Sequence, residues 1–508
     1  MKTVEIKSAL VSVFDKSGLD AIIAELAKLN VDIISTGGTL KYIESQGVAV
    51  RSVESLTSYP SILDGRVKTL HPKVFGGILA RREESHLNEL AEYEIPQIDL
   101  VIVDLYPFEE TVRETDDEKK IIEKIDIGGI SLIRAAAKNF NDVVVVSSKD
   151  QYAYLLNLLQ DKKGIADESD RKFLAGQAFK VSSHYDTLIH DYFNGGATDD
   201  AFKHSIHESS TLRYGENPHQ GGTYFGDLNM VFEQLQGKAL SYNNLVDVEG
   251  ALQIMREFKD DKPAFAVLKH TNACGIAIRE TVLDAWKAAL AGDSVSAFGG
   301  ILICNKPIDL ATAEEIDKIF YEVLIAPGFD EDAREFLSKK KKRILLKLKY
   351  YPAPKYVFKS ILNGVIQQDA DLLMENADEM TVVTEKSPTT DEIKDLVFAN
   401  KCAKHLKSNT IVLAKDQQLV GMGCGQTSRV DALKQAILKA EHFGLDLAGS
   451  VMASDAFFPF PDCVEIADVA GITAVIQPGG SIRDQDSTDY CNNHGMSMVT
   501  TGHRHFKH

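Results

Sequence analysis

Long apolar runs are missing from this sequence. No stretch of about 18 consecutive apolar residues, the length that a membrane-spanning helix needs, occurs among its 508 residues. Residues 1–5 lead directly into a strand pattern instead of the apolar core of a signal peptide. These absences exclude a membrane protein class, and we expect a cytoplasmic protein.

Positive charge is also scarce. Lys and Arg number 56 against 74 Asp and Glu, which leaves a formal net charge of −18. Because phosphate backbones are bound by basic faces, this balance excludes general nucleic-acid binding but allows a small anionic ligand at a local basic site. A chain of this length predicts about two to four domains.

Cysteine pairs with zinc-binding spacing are the third absence. All the cysteines lie in the second half of the chain, and none forms a CxxC pair. They are typical of reduced core thiols, and we expect no catalytic metal. A metal site built from His270, Cys274 and Cys304 is an alternative that the spacing does not support.

Strand and helix patterns alternate through the first 150 residues, as in a doubly wound α/β sheet. A strand at 9–14, a helix at 18–29 and a strand at 31–35 lead into the glycine turn Thr36-Gly37-Gly38-Thr39. A glycine turn before a helix can hold a phosphate through backbone N–H groups. Such a turn is equally often a simple connection, but in a parallel sheet Ser12 and Lys16 would lie beside it.

Three further polar stretches follow in this half. Residues 64–73 carry four basic side chains, a strand at 98–104 runs into Tyr106, and Asp126 precedes a glycine pair that opens a helix bearing Lys138. For Tyr106 the alternative to a functional role is an amphipathic rim residue. For Asp126 the alternative is a helix-capping carboxylate. Residues 150–194 show helical spacing of apolar residues, and the polar segment 195–211 marks a domain boundary.

The second half is organised around Lys269 and His270 at the end of an apolar strand pattern, 264–268. Strand ends of layered α/β proteins are common ligand sites, although a Lys-His pair on a solvated loop is the alternative. The basic run 339–343 is interpreted as a solvated loop, with attraction of a phosphate as the alternative. Residues 454–462 place three aromatic rings and two prolines in an exposed segment suited to a flat heterocycle, although rings packed under a loop are commoner.

The order of these stretches resembles one family. STGGT, GRVKTLHP, DLYPF, IDIGG, AAAKN, RYGENPHQ, KHTNACG, SNT, GQTSR and SDAFFPFPD all occur in the order found in the bifunctional purine-biosynthesis family that joins phosphoribosylaminoimidazolecarboxamide (AICAR) formyltransferase to IMP cyclohydrolase. The resemblance covers essentially the whole chain. Chance does not account for so many spaced motifs.

The resemblance implies an α/β protein of two parts. Residues 1–196 would form the cyclohydrolase domain, with a methylglyoxal-synthase-like parallel-sheet core at about 1–148. After a linker at 197–211, residues 212–508 would form a formyltransferase region of two cytidine-deaminase-like subdomains without their zinc. The family also implies a homodimer with formyltransferase sites between subunits.

The implied first reaction transfers formyl from the cosubstrate 10-formyltetrahydrofolate to the 5-amino group of AICAR, giving FAICAR. His270 would be the base, Lys269 would keep it neutral and stabilise the oxyanion, and Asn409 would steady the tetrahedral centre. The resemblance places on the nucleotide side Arg213, Tyr214, His219, Phe457 and Arg504, and on the folate side Arg429, Pro459, Phe460 and Asp462.

The implied second reaction closes FAICAR to IMP with loss of water. Lys68 and Tyr106 would stabilise the oxyanion and deliver a proton, and Asp126 with Lys138 would transfer a proton at the attacking amide. The residues expected to hold the ribose phosphate are Ser12, Lys16, Thr36, Gly37, Gly38, Arg66 and Thr69.

One departure and two alternatives remain. Gly300 stands where some family members have an aspartate that touches the nucleotide, so that contact is lost here. A silent sensor of a phosphorylated purine precursor would keep the glycine turns and Arg213 but would need neither His270 nor Tyr106. A zinc deaminase would need paired cysteines and an adjacent glutamate, which the sequence lacks.

Overall fold

The fold is described here by a computed structural model for residues 2–195 and 201–508. These residues belong to two compact units, 1–207 and 208–508. The chain passes from one unit to the next after residue 207, inside the expected linker 197–211. Residues 196–200 lie outside the described part. The domain limits given above stay a prediction.

The N-terminal unit is built on a parallel sheet. Its strands are β1 (Val4–Glu5), β2 (Ser8–Ser12), β3 (Asp32–Ser35), β4 (Arg51–Ser52), β5 (Leu100–Val103), β6 (Val144–Val146) and β7 (Ile165–Ala166). Strands β4-β3-β2-β5-β6 form the sheet in that order, and every pair is parallel. The remaining two strands, β1 and β7, pair antiparallel beside it.

Helices cover this sheet. They are α1 (Leu19–Lys28), α2 (Gly37–Ser45), α3 (Val53–Thr57), α4 (Pro72–Leu79), α5 (Glu84–Glu92), α6 (Phe108–Glu114), α7 (Glu118–Ile122), α8 (Gly128–Lys138), α9 (Tyr152–Gln160) and α10 (Glu168–Asn194). The predicted helical region 150–194 is therefore two helices. Gly164 adopts a left-handed φ of 74° between them, and strand β7 follows it.

Strand β2 is shorter than the sequence pattern predicts. The pattern extends to residue 14, but the strand ends at Ser12. The Val13 N–H donates to the Thr39 hydroxyl at 3.0 Å, and the Phe14 N–H donates to the Asp104 carboxylate. A side chain of helix α2 and one of the loop after β5 thus replace the neighbouring strand as hydrogen-bond partners, which turns the chain out of the sheet.

The C-terminal unit contains a twelve-stranded sheet and two small hairpins. Its strands are β8 (Ser209–Leu212), β9 (Gly222–Phe225), β10 (Phe232–Gln236), β11 (Ala264–Lys269), β12 (Asn272–Ile278), β13 (Gly300–Cys304), β14 (Tyr321–Ala326), β15 (Ile344–Leu348), β16 (Tyr356–Ile361), β17 (Gly364–Asp369), β18 (Thr381–Val382), β19 (Ile411–Lys415), β20 (Gln418–Gly423), β21 (Val451–Ser454), β22 (Ala474–Gln477) and β23 (Ser497–Thr500). Strand β8 occupies the end of the expected linker, where it pairs with β9.

The helices of this unit lie on both faces of the large sheet. They are α11 (Leu228–Val231), α12 (Tyr242–Arg256), α13 (Val282–Gly292), α14 (Leu310–Ile316), α15 (Glu331–Ser338), α16 (Thr390–Lys404), α17 (Arg429–His442), α18 (Asp462–Val469) and α19 (Asp484–His494). Apolar side chains fill the space between helices and sheet on each face.

The large sheet contains an internal repeat. Its order is β10-β15-β14-β13-β11-β12-β20-β19-β21-β22-β23-β18. In the first half the β11–β12 hairpin is followed by the parallel strands β13, β14 and β15, and in the second half the β19–β20 hairpin is followed by β21, β22 and β23. Two equivalent halves confirm the expectation of two α/β subdomains.

Two sequence expectations about side chains have different outcomes. The cysteines are free, and all except the half-buried Cys424 are buried, as expected of core thiols. The interpretation of 339–343 as a solvated loop is wrong for Arg343, which is buried, forms an ion pair with Asp317 and lies 4.4 Å from the centre of the Tyr321 ring. The four lysines before it are exposed.

Within the described residues, no helix is long and apolar enough to span a membrane.

Two helical glycines of the N-terminal unit provide a test of packing. A Cβ on Gly77 would lie 2.4 Å from the Pro96 carbonyl oxygen, whereas a Cβ on Gly176 would have no heavy atom within 4 Å. We expect Gly77→Ala to lower the free energy of unfolding by about 1–3 kcal/mol through overpacking. The matched Gly176→Ala should raise it by about 0.5–1 kcal/mol through helix propensity. Urea unfolding followed by circular dichroism measures both, and equal effects would contradict this packing.

Candidate active sites

The first candidate site lies where three parallel strands of the N-terminal unit end. The register pairs Ser12 with Val103 and Val11 with Ser35, so strands β2, β3 and β5 end side by side. The loops that follow these strands therefore enter one space. Ligands of parallel sheets bind at this carboxyl edge. The loops enclose a cavity of about 760 Å³, which lies in the range of small-molecule sites.

The glycine turn after β3 forms one wall. Gly37 has a left-handed φ of 56° and begins helix α2, whose first N–H groups face the cavity end of the strand. A Cβ on Gly37 would lie 3.3 Å from the Lys68 Nζ, and one on Gly38 would lie 3.8 Å from the Lys16 Nζ. Two ammonium groups therefore flank a helix N-terminus, an arrangement suited to a phosphate.

The second glycine pair holds Asp126. The Gly129 N–H donates to Asp126 Oδ1 at 2.6 Å, and a Cβ on Gly129 would lie 2.5 Å from Oδ2. The Asp126 N–H donates to the Tyr185 hydroxyl at 2.9 Å. Asp126 is thus a capping group, as one interpretation holds, and it also lines the cavity. Glycine at 129 is required because the carboxylate occupies the space of a side chain.

Tyr106 lines the same cavity as Asp126 and is affected by the charges of two carboxylates. Its ring packs edge-to-face on Phe14 at 5.5 Å, and the Lys124 ammonium lies 5.7 Å from the ring centre. Burial raises the pKa of Tyr106, with further contributions from the negative charges of Asp126 and Asp104. Burial also raises the pKa of Asp126; the Gly129 N–H opposes this shift, and the negative charge of Asp104 adds to it.

Most of the residues expected in this site are brought together. Those that line the cavity are Ser12, Lys16, Thr36, Gly38, Arg66, Lys68, Thr69, Tyr106 and Asp126. Arg66 forms an ion pair with Glu123, and the Thr36 hydroxyl donates to Glu54 at 3.2 Å.

Lys138 does not join these residues. It ends helix α8, whose first residue, Gly128, lines the cavity; ten residues of helix separate the two ends by about 15 Å. Lys138 instead lines a second cavity of about 670 Å³ together with Arg82 and Arg171. The expected pairing of Asp126 with Lys138 is therefore not formed within the described chain.

Sequence reasoning did not single out Phe14, Asp104 or Lys124, which also line this cavity. The Asp104 carboxylate accepts from the Phe14 N–H and, at 2.9 Å, from the Asp15 N–H, and so ties the loop after β2 to the loop after β5. Burial raises the pKa of Asp104. Its position at the end of an apolar strand was the available signal.

The second candidate site lies where central strands of the twelve-stranded sheet begin or end side by side. This row of strand ends is the sheet edge. Lys269 ends β11, and His270 and Thr271 form a two-residue turn with φ of 52° and 62° before β12. Both residues are left-handed, as in a type I′ hairpin. The Lys269 Nζ donates to the Phe298 carbonyl at 2.9 Å. His270 is exposed at the tip of the hairpin.

Helix α12 connects the hairpin to the segment 213–220. Asp247 accepts from the Thr271 N–H at 2.9 Å, and Asn243, one turn earlier, donates to the Glu216 carbonyl at 3.1 Å. Side chains four residues apart share one helix face, so both contacts lie on the same side of α12. The expected nucleotide segment therefore lies near His270.

Within segment 213–220, Arg213 and Tyr214 contact each other. The guanidinium of Arg213 lies 4.7 Å from the centre of the Tyr214 ring and donates to its hydroxyl at 2.8 Å. His219 is exposed.

Asn409 lies on the same sheet edge. Its N–H and its side-chain amide both donate to the Gln426 carbonyl, at 3.2 and 2.9 Å. The Cys424 thiol, two residues before Gln426, donates to the Asn272 side chain at 3.3 Å. This chain of contacts joins the loop of Asn409 to the hairpin of His270 across β12 and β20.

The aromatic segment after β21 is partly exposed. Phe457, Pro459 and Phe460 are exposed, whereas Phe458 is buried in the core. The Arg483 guanidinium lies 5.0 Å from the centre of the Phe460 ring. Exposed rings thus alternate with a buried anchor, which fixes the segment, and Asp462 begins helix α18 after it.

Arg429 and Arg504 differ in their surroundings. The Arg429 guanidinium donates to the Ser454 hydroxyl at 2.9 Å and to the buried Asp455 carboxylate at 3.0 Å. It therefore fixes the start of the aromatic segment. Arg504 is exposed in the C-terminal segment, which continues from β23 at this edge.

Gly300 is buried, and a Cβ there would lie 2.6 Å from the Leu268 carbonyl oxygen. This backbone has no room for an aspartate at that position.

Comparison with known proteins gives matches over both units. Residues 136–439 match the family model described as AICARFT/IMPCHase bienzyme, and residues 18–131 match an MGS-like domain. A Bifunctional purine biosynthesis protein PurH of Bacteroides thetaiotaomicron is 59% identical over 504 residues, covering 99% of each chain. A protein of the same name from Acetivibrio thermocellus is 48% identical, covering 99% of this chain and 100% of the relative.

Removing the charge of Asp104 tests the electrostatics of the first site. Because its negative charge contributes to the raised pKa values of Asp126 and Tyr106, Asp104→Asn should lower both. Titration followed by NMR of labelled Asp and Tyr measures the shifts. Glu123→Gln is the matched control on the exposed rim of the same cavity and should change the Asp126 pKa less. An Asp126 pKa that stays unchanged in Asp104→Asn would contradict the coupling.

Proposed function

The chain belongs to the AICARFT/IMPCHase bienzyme family, and we propose that the two candidate sites are its separate formyltransferase and cyclohydrolase centres. It is a bifunctional enzyme of purine biosynthesis whose formyltransferase uses a folate-type one-carbon donor. The observation that supports two centres is that the two sets of site residues belong to different compact units.

The formyl donor in this proposal is 10-formyltetrahydrofolate, and the acceptor is AICAR. The 5-amino group is weakly nucleophilic because its lone pair is delocalised into the ring and its carboxamide. His270 removes an N–H proton as the nitrogen attacks the formyl carbon. The tetrahedral centre then expels N10 of tetrahydrofolate, which takes up a proton, and FAICAR is released.

Lys269 and Asn409 stabilise the oxyanion in this step. Lys269 is already oriented by its bond to the Phe298 carbonyl. The double contact of Asn409 with Gln426 holds its amide in one orientation. Donors that are fixed before the reaction need no reorganisation as charge develops.

The remaining residues of this site divide between the two substrates. On the nucleotide side we place Arg213, Tyr214, His219, Phe457 and Arg504, and on the folate side Arg429, Pro459, Phe460 and Asp462. Exposed rings at 457 and 460 suit flat heterocycles. Arg429 contributes by fixing the segment that carries these rings.

Ring closure takes place in the cavity of the N-terminal unit. The ribose phosphate of FAICAR binds at the turn of Thr36, Gly37 and Gly38, together with Ser12, Lys16, Arg66 and Thr69. This arrangement rests on the helix N-terminus and on the two ammonium groups beside it.

Asp126 and Tyr106 then carry the chemistry with Lys68. Asp126 accepts the proton of the carboxamide nitrogen as this nitrogen attacks the formyl carbonyl, and its raised pKa makes it a stronger base than an ordinary carboxylate. Lys68 and Tyr106 stabilise the developing oxyanion, which takes up a proton to become a hydroxyl. The former formamide nitrogen then gives up its N–H proton as its C=N bond forms, and the hydroxyl, protonated a second time, leaves as water. We assign no step to Lys138 of the same chain, and none to a metal ion.

A pair of substitutions tests the separation of the two centres. His270→Ala should lower formyl transfer by about 10²–10⁴-fold, the usual contribution of a general base, and leave cyclisation of supplied FAICAR unchanged. Lys68→Ala should lower cyclisation by about 10²–10³-fold and leave formyl transfer unchanged, so that FAICAR accumulates.

Each variant is the matched control of the other. Both activities are followed by chromatography of AICAR, FAICAR and IMP. Loss of both activities in one folded variant would refute the assignment of two centres. If the chain were instead the catalytically silent sensor considered in the sequence analysis, the wild-type chain would form no FAICAR.

We also propose that the chain is a homodimer whose formyltransferase sites lie between subunits. The C-terminal unit presents an exposed apolar hairpin, β16–β17, in which Leu362 is 98% and Ile366 55% exposed. Ile361 lies on the same face as Ile366 and Val365 on the opposite face, so the hairpin exposes apolar side chains on both sides. A second copy is the occupant that we assign to this hairpin, because apolar faces of this kind mark association surfaces.

Charged substitutions on the hairpin test the homodimer. Leu362→Lys with Ile366→Lys should convert the dimer to a monomer in sedimentation velocity and lower formyl transfer, whereas cyclisation of FAICAR should persist. Val469→Lys, at an apolar side chain 89% exposed on α18, is the control and should leave the dimer intact. A wild-type chain that sediments as a monomer would refute the homodimer, and a hairpin variant that stays dimeric would refute the assigned surface.

A further inference from the structure

The C-terminal segment after β23 is attached to its own unit by a buried histidine. His505 is 4% exposed. Its Nδ1 lies 2.7 Å from the Asp371 carboxylate, and its Nε2 lies 3.2 Å from each oxygen of Glu375. Glu375 is itself 2% exposed and accepts from the Asn400 amide at 3.0 Å. Two carboxylates from one loop thus hold the ring from both sides.

Two residues further on, Lys507 is joined to the loop that carries Asn409. The Ser408 N–H donates to the Lys507 carbonyl at 3.0 Å, and the Lys507 N–H donates to the Ser408 hydroxyl at 3.0 Å. The Lys507 ammonium donates to the His405 carbonyl at 3.3 Å. The chain end and the Asn409 loop therefore stabilise each other through reciprocal hydrogen bonds between Ser408 and Lys507.

His505 also fixes the chain on its other side. Its N–H donates to the Asp455 carbonyl at 3.1 Å, near the start of the aromatic segment 454–462. The preceding residue, Arg504, is exposed at the sheet edge. The buried ring is therefore flanked by three functional segments: the Asn409 loop, the aromatic segment and Arg504.

The charges around His505 leave it as a cation at neutral pH. Burial would lower its pKa, but the hydrogen bonds and negative charges of Asp371 and Glu375 outweigh burial and raise the pKa to about 9. The other charged groups nearby are Lys404, which lies 3.9 Å from Asp371, and Lys507 of the same segment. His405 is buried, which lowers its pKa to about 4 despite its contact with Glu257, so it carries no charge at neutral pH.

We propose that His505 is a positioning residue for formyl transfer. Clamped between Asp371 and Glu375, it holds the C-terminal segment so that Lys507 fixes the Asn409 loop and Arg504 stays at the sheet edge. The inference rests on the proposed role of Asn409 in that reaction. His505 itself touches no reacting atom.

The clamp has a defined dependence on pH. Below about pH 6.5, the ordinary pKa of histidine, His505 is protonated in both the folded and the unfolded chain, and the stabilisation is fully present. As the pH rises through the folded pKa of about 9, the ring loses its proton and this stabilisation is lost. If the clamp positions Asn409, kcat for formyl transfer should fall as the pH rises through about 9, which gives its pH profile an alkaline limb. The profile of cyclisation should lack this limb.

The first test replaces the imidazole. His505→Gln keeps a buried polar side chain but cannot become a cation, and it should lower kcat for formyl transfer by about tenfold or more, since small misplacements of catalytic groups are costly. Cyclisation of supplied FAICAR should be unchanged. His442→Gln, at an exposed histidine of the same unit, is the matched control and should have wild-type activity.

Asn409→Ala is measured in parallel to separate this inference from the proposed function. If Asn409→Ala retains formyl transfer, the assigned role of Asn409 fails. If Asn409→Ala is inactive while His505→Gln has wild-type kcat, the clamp alone is refuted.

A second variant covers the case in which His505→Gln fails to fold. Asp371 has a side chain that is 45% exposed, so Asp371→Asn removes one of the two charges with little packing change. It should lower the pKa of His505 and move the alkaline limb of formyl-transfer kcat to lower pH, with the His505 titration followed by NMR. A limb that stays at the wild-type position while the His505 pKa falls would overturn the proposal.

Discussion

The central strands of both units are buried, and a buried strand cannot carry an unpaired charge. Strands β2, β5 and β6 present apolar side chains to helices on both faces, and β11 is buried along its length up to Lys269. Functional groups are therefore confined to the loops at the strand ends. The hydrogen-bonded register then decides which loops meet, and each site is a consequence of that register.

In the N-terminal unit the parallel register brings together carboxylates as well as cations. Asp104 and Asp126 share one cavity with Lys16 and Lys68. The negative charge of Asp104 adds to the effect of burial on the pKa of Asp126, while Lys68 opposes it. The acidic balance of the whole chain thus matters less for this site than the few charges that its loops place around the two glycine turns.

The family resemblance and the residue patterns identify the strands, the glycine turns and most residues of the first cavity. Other features depend on three-dimensional register and are invisible in the pattern. The His270-Thr271 turn has left-handed φ values without the Asn-Gly signal that usually predicts them. Asp104 reveals its role only once β2 and β5 are adjacent, and the distance between Asp126 and Lys138 follows only when α8 is known to run continuously between them.

The internal repeat of the C-terminal unit was likewise expected only from resemblance, because its two halves share topology without a sequence period. For Arg343, in contrast, a clear local pattern led to a wrong prediction. A basic run predicts a solvated loop, but Asp317 and the Tyr321 ring provide partners that only the folded chain assembles. Long-range pairing of this kind sets the limit of prediction from local sequence.

The central claim is that one chain carries a formyl-transfer centre and a ring-closing centre. It is tested most directly by incubating the wild-type protein with AICAR and 10-formyltetrahydrofolate and following the nucleotides over time. Our account predicts consumption of AICAR and formation of IMP, with FAICAR as the intermediate. Accumulation of FAICAR without IMP, or no consumption of AICAR, would contradict it.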